Sequence, residues 1–461
     1  MQPVIHWFRR DLRLIDNIAL HRAAATGRPV IPVYVSDSQD AGGASRWWLH
    51  HSLASLDRDL RARGSSLLLR SGPPEQVLSD LAGESGAEAI YFNRRYEPES
   101  RSQERRLQER AGEDLEIVAC DDNLVCRPSD LRTLSDGYYR VFTPFWKASC
   151  ARGEPAAPQP APASLPASGD TLPSIPLDEL GLLPGEPDWA GGLRDTWTPG
   201  EAAALRLLDE LEPTLADYAR HRDRPDIDAT SRLSPYLHFG EVSARQVWHG
   251  ARRLHALAGD LAGTEAFTRQ LYWREFSAYL LFHHPQLPTR PLRPEFEYFP
   301  WLDDEESLRA WQKGKTGFPI VDAGMRQLWE TGWMHNRVRM IVASFLVKDL
   351  MIPWQRGADW FLDTLVDADL ANNSASWQWV AGCGSDAAPY FRVFNPDLQA
   401  SKFDPDEAYV RRWIPELSGK SSEPYPDPIV DHREARRRAL EAYDVVKAAA
   451  SNPANAATDP A

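Results

Sequence analysis

The sequence predicts two domains of different class: an α/β domain with a parallel, Rossmann-like sheet, followed by an all-α domain. Within residues 1–130, short apolar segments alternate with helical ones, which is the pattern of a parallel sheet covered by helices. Residues 131–198 form a connector that is rich in proline and alanine from residue 151 onward. Residues 199–446 keep a helical pattern, and residues 447–461 form a polar tail that we expect to be disordered.

Five apolar segments of the first domain are typical of short buried strands. They are Val4–Phe8, Val30–Val35, Leu67–Leu69, Ala89–Phe92 and Leu115–Val118. Between them the sequence predicts a helix from about Ile18, which Asp16 and Asn17 can cap, and helices over 45–60, 73–81 and 98–111. No Gly-x-Gly-x-x-Gly follows the first strand, so the sequence predicts no nicotinamide site there and does not favour an oxidoreductase.

Composition and charge restrict the classes of function. The chain has 461 residues, a formal net charge of −14 and a pI of about 5.4, which excludes a surface coated in basic residues but allows a local basic patch for DNA. The four cysteines show neither metal-ligand spacing nor a disulfide framework, so we expect no metal site and a reducing cytoplasm. The apolar runs are too short to span a membrane, and the first residues lack the pattern of a signal peptide.

Residues 333–379 concentrate arginines, carboxylates, amides and indoles in one short stretch. The apolar run 341–347 predicts a buried helix with Arg337 and Arg339 at its N-terminal end. Arginines two residues apart do not share a helix face, so one could reach outward to phosphate while the other pairs inward with Asp367 or Asp369. The alternative is a core helix with satisfied ion pairs and no ligand.

A polar turn at residues 230–235 precedes another apolar segment. Its hydroxyl groups, on Thr230, Ser231 and Ser234, suit phosphate oxygens, aided by the backbone N–H groups of a helix start. Helix capping alone would also explain these residue types. From the residues themselves, both interpretations remain open.

The order of these blocks resembles the DNA photolyase and cryptochrome family, and within it the bacterial photolyases that repair cyclobutane pyrimidine dimers. The blocks with this resemblance are 333–337, 367–370, Asn373, 377–379 and 386–396. Residues 7–13, with Asp16 and Asn17, are similar to the opening of that family's antenna domain. The resemblance runs from Trp7 to about Tyr443 and implies an antenna domain, a helical FAD-binding domain, and light-driven repair of UV-damaged DNA by a monomer.

The resemblance also implies which residues form the site. The residues implied to bind FAD are Tyr218, Thr230, Ser231, Arg232, Leu233, Ser234, Gln270, Arg274, Asn336, Arg339, Asp367, Asp369 and Asn373. The residues implied to bind DNA or the lesion are Arg222, Gln270, Trp273, Asn336, Arg337, Met340, Trp379, Arg392 and Gln399. Trp301, Trp354 and Trp377 match the family's electron relay. A second, antenna chromophore is implied in general, and methenyltetrahydrofolate, a deazaflavin and none at all stay open.

A few positions distinguish the subclasses of the family. In this resemblance, Asn336 and Met340 occupy the positions of a histidine pair that photolyases specific for (6-4) photoproducts carry. Asn373 occupies a position where plant cryptochromes tend to have aspartate. Together they favour repair of cyclobutane dimers. Most photolyases that repair cyclobutane dimers have a glutamate at the position of Gln270 in this resemblance. Glutamine cannot carry the charge of a carboxylate, so this departure supports the alternative of a cryptochrome-like blue-light receptor that binds FAD without repair.

Overall fold

The computed structural model describes residues 1–37, 42–166, 172–259, 262–387, 391–419, 421 and 423–451. A five-stranded parallel sheet lies in the N-terminal part, and helices dominate the rest. No helix within these ranges is long and apolar enough to cross a membrane. The tail expected from residue 447 is helical as far as Ala450, and residues 452–461 lie outside the described residues.

The sheet has the strand order β3-β2-β1-β4-β5, with β1 at its centre. The strands are β1 Val4–Phe8, β2 Val30–Ser36, β3 Leu68–Ser71, β4 Ala89–Asn93 and β5 Glu116–Cys120. Ile5 of β1 is paired with Ile31 on one side and Ile90 on the other, all in parallel register. The predicted Rossmann-like sheet is therefore confirmed, because its five apolar segments are the five strands.

Helices cover both faces of this sheet. They are α1 Ile18–Ala25, α2 Gly43–Arg61, α3 Pro74–Ser85 and α4 Pro98–Ala111. Asn17 caps α1 as predicted, since its side chain accepts a hydrogen bond from the Leu20 N–H at 3.0 Å. Alternate residues of β1 point to opposite faces, so Phe8 joins one hydrophobic core and Trp7 joins another.

The connector is largely irregular and carries short helical segments. They are α5 Phe142–Cys150, a 3-10 turn at Leu177–Leu180 and α6 Gly191–Thr196. Leu165 of the connector is fully buried in the same core as Phe8. The connector therefore packs against both domains, although its composition indicated only an extended, proline-stiffened segment.

The C-terminal domain consists of thirteen α-helices within the described residues. They are α7 Glu201–Asp209, α8 Glu212–His221, α9 Ser234–Phe239, α10 Ala244–Ala258, α11 Thr264–His283, α12 Glu305–Gln312, α13 Pro319–Thr331, α14 Asn336–Ser344, α15 Trp354–Thr364, α16 Leu370–Ala381, α17 Pro396–Phe403, α18 Ala408–Trp413 and α19 His432–Ala450. The apolar run 341–347 does not form one α-helix, because a π-helical turn at Phe345–Asp349 follows α14.

A buried polar network fixes the α/β domain against the helical one. Arg245 of α10 lies 2.9 Å from Asp16 and 2.5 Å from Asp122, and Arg13 also pairs with Asp122. Gly240, at φ +68°, ends α9 directly against the first domain, where an added Cβ would lie 2.1 Å from the Arg10 carbonyl oxygen. These contacts hold α9 and the polar turn before it in a defined position.

Candidate active site

The start of α14 sends its two arginines in different directions. His335 caps this helix, because its Nδ1 accepts a hydrogen bond from the Arg337 N–H at 3.2 Å. Arg339 Nη2 lies 2.8 Å from Asp367 Oδ2, whereas Arg337 Nη2 lies 2.9 Å from Asp223 Oδ2. The sequence predicted this divergence and the inward pair with an aspartate, but it did not identify Asp223 as the partner of the other arginine.

Asp367 links α14 to the polar turn that precedes α9. Its Oδ2 accepts hydrogen bonds from the Ser234 hydroxyl at 2.6 Å and from Arg339. Its Oδ1 is buried and has no donor among the described residues. A buried carboxylate oxygen without a donor is costly, so this atom suits an N–H or O–H group of a bound ligand.

The polar turn adopts an unusual backbone conformation beside Asp367. Arg232 has φ +51°, in the left-handed region, and Ser234 begins α9. The Arg232 guanidinium lies 5.5 Å from the centroid of the Trp333 ring and 3.3 Å from Asp228. Its buried Nε has no acceptor among the residues that the structure describes. The turn therefore holds hydroxyl and guanidinium groups together, as an acidic ligand requires.

Two residues around the start of α16 have oriented polar side chains. Asp369 caps the helix by accepting a hydrogen bond from the Asn372 N–H at 2.8 Å. Asn373 donates its amide hydrogen to the Ala358 carbonyl at 3.0 Å. That bond fixes the amide, so the Asn373 carbonyl oxygen is the atom left to accept a hydrogen bond from a ligand.

Arg274 and Tyr218, two further residues expected to bind FAD, contact neighbouring protein groups. Arg274 donates to the Asn123 carbonyl at 3.1 Å and, more weakly, to the Leu237 carbonyl at 3.5 Å, so it joins the two domains. Tyr218 is buried edge-on against Phe267, and burial raises the pKa of its phenol. Leu233 is buried at the end of the polar turn, and Thr230 and Ser231 remain partly exposed.

Helix α11 carries two of the residues expected at the lesion. One face of the Trp273 ring is stacked on Phe142, with the ring centroids 3.6 Å apart. Gln270 donates its amide hydrogen to the Ala266 carbonyl of its own helix at 3.0 Å. Trp379, from α16, is half-buried and donates to the Asp386 carbonyl at 3.0 Å.

Three of the residues expected to bind DNA line one cavity of about 730 Å³, and further basic residues join them there. The expected residues are Arg337, Arg392 and Gln399, and the additional basic ones are Lys402, Arg433 and Arg436. Arg222 lies nearby, because its Nε is 3.9 Å from the Asp223 carboxylate that pairs with Arg337. Asn336 is exposed and Met340 is half-buried on the same helix as Arg337.

Comparisons with known proteins agree with the observed fold. A family model for DNA photolyase matches residues 4–164, and a model for the FAD-binding domain of DNA photolyase matches residues 267–445. The chain belongs to the DNA photolyase family. The resemblance predicted from the sequence is confirmed, and FAD is its cofactor.

The relatives of this photolyase include deoxyribodipyrimidine photo-lyases and cryptochromes. It is 48% identical to a deoxyribodipyrimidine photo-lyase of Agrobacterium fabrum, over 96% of this chain and 98% of that one. It is 38% identical to Cryptochrome-1 of Arabidopsis thaliana, over 90% of this chain and 63% of that one. A crystal structure of a bacterial class III photolyase from Agrobacterium tumefaciens matches with a TM-score of 0.94 and 47% identity, covering 97% and 98% of the two chains. The photo-lyase assignment is favoured over the receptor alternative.

Trp301, Trp354 and Trp377, the tryptophans that the resemblance assigns to an electron relay, belong to one hydrophobic core of the helical domain. Trp377 and Trp354 are buried, and an added Cβ on Gly357, one turn after Trp354, would lie 2.1 Å from the Trp377 ring. Leu302, which follows Trp301, donates its N–H to the Met351 carbonyl just before α15 at 2.8 Å. Trp377 also meets Trp311 at 6.2 Å between ring centroids, a neighbour that the sequence did not predict.

Several residues of this photolyase site were missed by sequence reasoning. Phe142 is far from Trp273 in sequence, so no local pattern could have paired them. Glu275 accepts hydrogen bonds from the Val125 and Cys126 N–H groups at 3.0 Å each, and burial raises its pKa to about 7. The basic run 432–438 is visible in the sequence and could have indicated the arginines of the cavity.

Proposed function

We propose that this photolyase repairs cyclobutane pyrimidine dimers in DNA with the energy of blue or near-UV light. One observation supports this most directly. Helix α14 places Arg339 against Asp367, where we propose that the flavin binds, and Arg337 on the wall of the cationic cavity, where we propose that DNA binds. A single rigid helix therefore connects the two proposed binding sites. Rigid elements position reacting partners more precisely than loops do.

The residues of the polar turn and of α16 fit the bound flavin. Ser234, Arg232, Thr230 and Ser231 would hold its diphosphate, because they offer donors beside a helix start. The Asp367 Oδ1 atom, which is buried and has no donor among the described residues, would accept a hydrogen bond from the flavin. When bound, reduced FAD supplies the photoexcited electron that splits the dimer. Arg339 would balance negative charge near Asp367, and the Asn373 carbonyl oxygen would accept the flavin N5 hydrogen.

The lesion would leave the duplex and enter between aromatic walls. Trp379 and the face of Trp273 opposite Phe142 would stack against the flipped-out dimer. Flipping costs a few kcal/mol, and less for a lesion that already disrupts stacking. Gln270, Asn336 and Met340 would contact the bases, while Arg222, Arg337, Arg392 and Gln399 would contact the strand beside them.

The family resemblance also supports proposals about the electron relay, the two domains and the antenna chromophore. Trp301, Trp354 and Trp377 would carry electrons inward to restore the reduced cofactor. Residues 1–130 would be the antenna domain and residues 199–446 the catalytic domain, in a cytoplasmic monomer. The alternatives for the antenna site are methenyltetrahydrofolate, a deazaflavin and no second chromophore.

The lesion specificity provides the test of this function. The protein, with its flavin reduced in advance, is illuminated in the presence of an oligonucleotide with either a cyclobutane dimer or a (6-4) photoproduct. We expect loss of the cyclobutane dimer only, because Asn336 and Met340 replace a histidine pair. Repair of the (6-4) photoproduct would contradict the specificity. No repair of either lesion, with FAD retained, would favour the receptor alternative.

A further inference from the structure

The cationic cavity extends beyond the residues that the family resemblance assigned to DNA. Its wall includes Arg433 and Arg436 from the first turns of the C-terminal helix α19. Residues three apart lie on the same face of a helix, so both guanidinium groups point toward the same space. Both side chains are exposed, and neither forms an ion pair within the part of the chain that the structure describes.

Among the described residues that line this cavity, basic side chains outnumber carboxylates. Five arginine and lysine side chains line it, whereas Asp223 is the sole carboxylate among its described lining residues. That carboxylate is already paired with Arg337 at 2.9 Å. His432, also on the wall, lies 2.5 Å from Asp349, whose hydrogen bond raises the pKa of the imidazole. A chain with a net charge of −14 therefore has a concentrated positive region here, which favours a polyanion.

The cavity adjoins the proposed lesion site. Arg392 lines it and also lines a smaller neighbouring cavity whose wall includes Trp379, the proposed stacking partner of the dimer. Arg337 lines it from α14, two residues before Arg339, which pairs with Asp367. A strand that delivers its lesion to Trp379 would run from there along the wall formed by α17 and α19.

We propose that Arg433 and Arg436 bind backbone phosphates of the DNA next to the lesion, which makes α19 part of the DNA-binding surface. This inference rests on the proposed function and adds a second group of phosphate contacts to Arg337 and Arg392. Arginine at an exposed wall forms strong bonds to phosphate but reads no base. The contacts should therefore contribute affinity for damaged and undamaged DNA alike, and no lesion specificity.

The test is the salt dependence of DNA binding by the full-length protein with FAD. The double variant Arg433→Ala/Arg436→Ala should lower the slope of log K against log salt by about two units, and should weaken binding roughly 10-fold per contact at 0.1 M salt. Arg437→Ala is the matched control, because Arg437 is on the same helix, is exposed and pairs with Glu441 at 2.7 Å. The control should leave the slope near that of the unmodified protein.

Two further measurements distinguish phosphate contacts from a purely structural role of the two arginines. The charge-conserving double variant Arg433→Lys/Arg436→Lys should keep most of the slope, which a structural role would not predict. The duplex is then shortened from each of its ends in turn. Removal of the flank that contacts α19 should abolish the difference in salt slope between the double alanine variant and the unmodified protein.

The outcomes are distinct. A double alanine variant with the slope of Arg437→Ala, or a difference that survives shortening of every flank, would overturn the inference while repair by the unmodified protein remains intact. Absence of repair by the unmodified protein would instead refute the proposed function.

Discussion

Gln270 provides the sharpest test of how the lesion is handled, because its amide is already engaged. Its hydrogen bond to the Ala266 carbonyl, at 3.0 Å, is of a kind that contributes about 0.5–1.5 kcal/mol net. A hydrogen bond to a thymine carbonyl that carries developing negative charge contributes about 1.5–3 kcal/mol. The amide would leave Ala266 to form it, so the net gain is about 1 kcal/mol. Gln270→Ala should therefore slow dimer splitting roughly fivefold.

Gln270→Glu should respond to pH. A carboxylate in the place of the amide cannot donate to Ala266, and its oxygen would face a carbonyl oxygen at about the same distance. The side chain must turn toward the lesion or retain a proton, and burial of part of it favours the protonated form. We expect repair to be as efficient as in the unmodified protein or more efficient, with a new pH dependence as the carboxyl titrates.

The assay is repair per absorbed photon for the three proteins, with the flavin reduced in advance, from about pH 5 to pH 9 around the range where a raised carboxyl pKa would fall. Absorption of the bound flavin confirms that each variant has folded. Equal yields in all three proteins at every pH would refute the argument, because Gln270 would then not touch the lesion. Repair by Gln270→Glu alone would identify the natural protein as a receptor.

The remaining predictions concern DNA binding, electron transfer to FAD and the stability of the fold. Arg337→Ala should lower the salt slope of DNA binding by about one unit, and an unchanged slope would remove this residue from the DNA-binding surface. Trp377→Phe should slow photoreduction of oxidised FAD sharply yet leave repair by pre-reduced protein nearly intact; fast photoreduction would indicate another route. Burial raises the pKa of Glu241 to about 8 in the folded protein, whereas its ordinary pKa is 4.5. Because the folded state keeps this proton to higher pH than the unfolded state does, the free energy of unfolding should fall as pH rises between these two values. Glu241→Gln should flatten that decline, on the order of 3–5 kcal/mol at most, in denaturant titrations at several pH values, and an unchanged slope would assign the decline elsewhere.

The features predicted well from sequence depend on local patterns. The five strands follow from short apolar runs between helical segments, and their ends in the structure differ from the predicted ones by at most two residues. The opposed directions of Arg337 and Arg339 follow from helix geometry alone. The apolar run after them was less informative, because apolar composition does not reveal the π-helical turn at Phe345–Asp349.

The features that the sequence did not predict depend on contacts between distant segments. Phe142 covers one face of Trp273 although it belongs to the connector, and its role emerges only when α5 packs on α11. The same is true of Glu275, whose carboxylate reaches backbone N–H groups of the segment after β5. Arg433 and Arg436 looked like ordinary charges of an exposed helix until the fold placed them on the cavity wall.

An action spectrum tests most directly whether the bound flavin drives the proposed repair of dimers. Repair of a cyclobutane dimer is measured per photon at wavelengths across the near-UV and blue, using protein that contains FAD and no second chromophore. We predict that the spectrum follows the absorption of the reduced flavin and that no dimer is lost in the dark. Repair in the dark, or no repair at any wavelength by protein with fully reduced flavin, would contradict it.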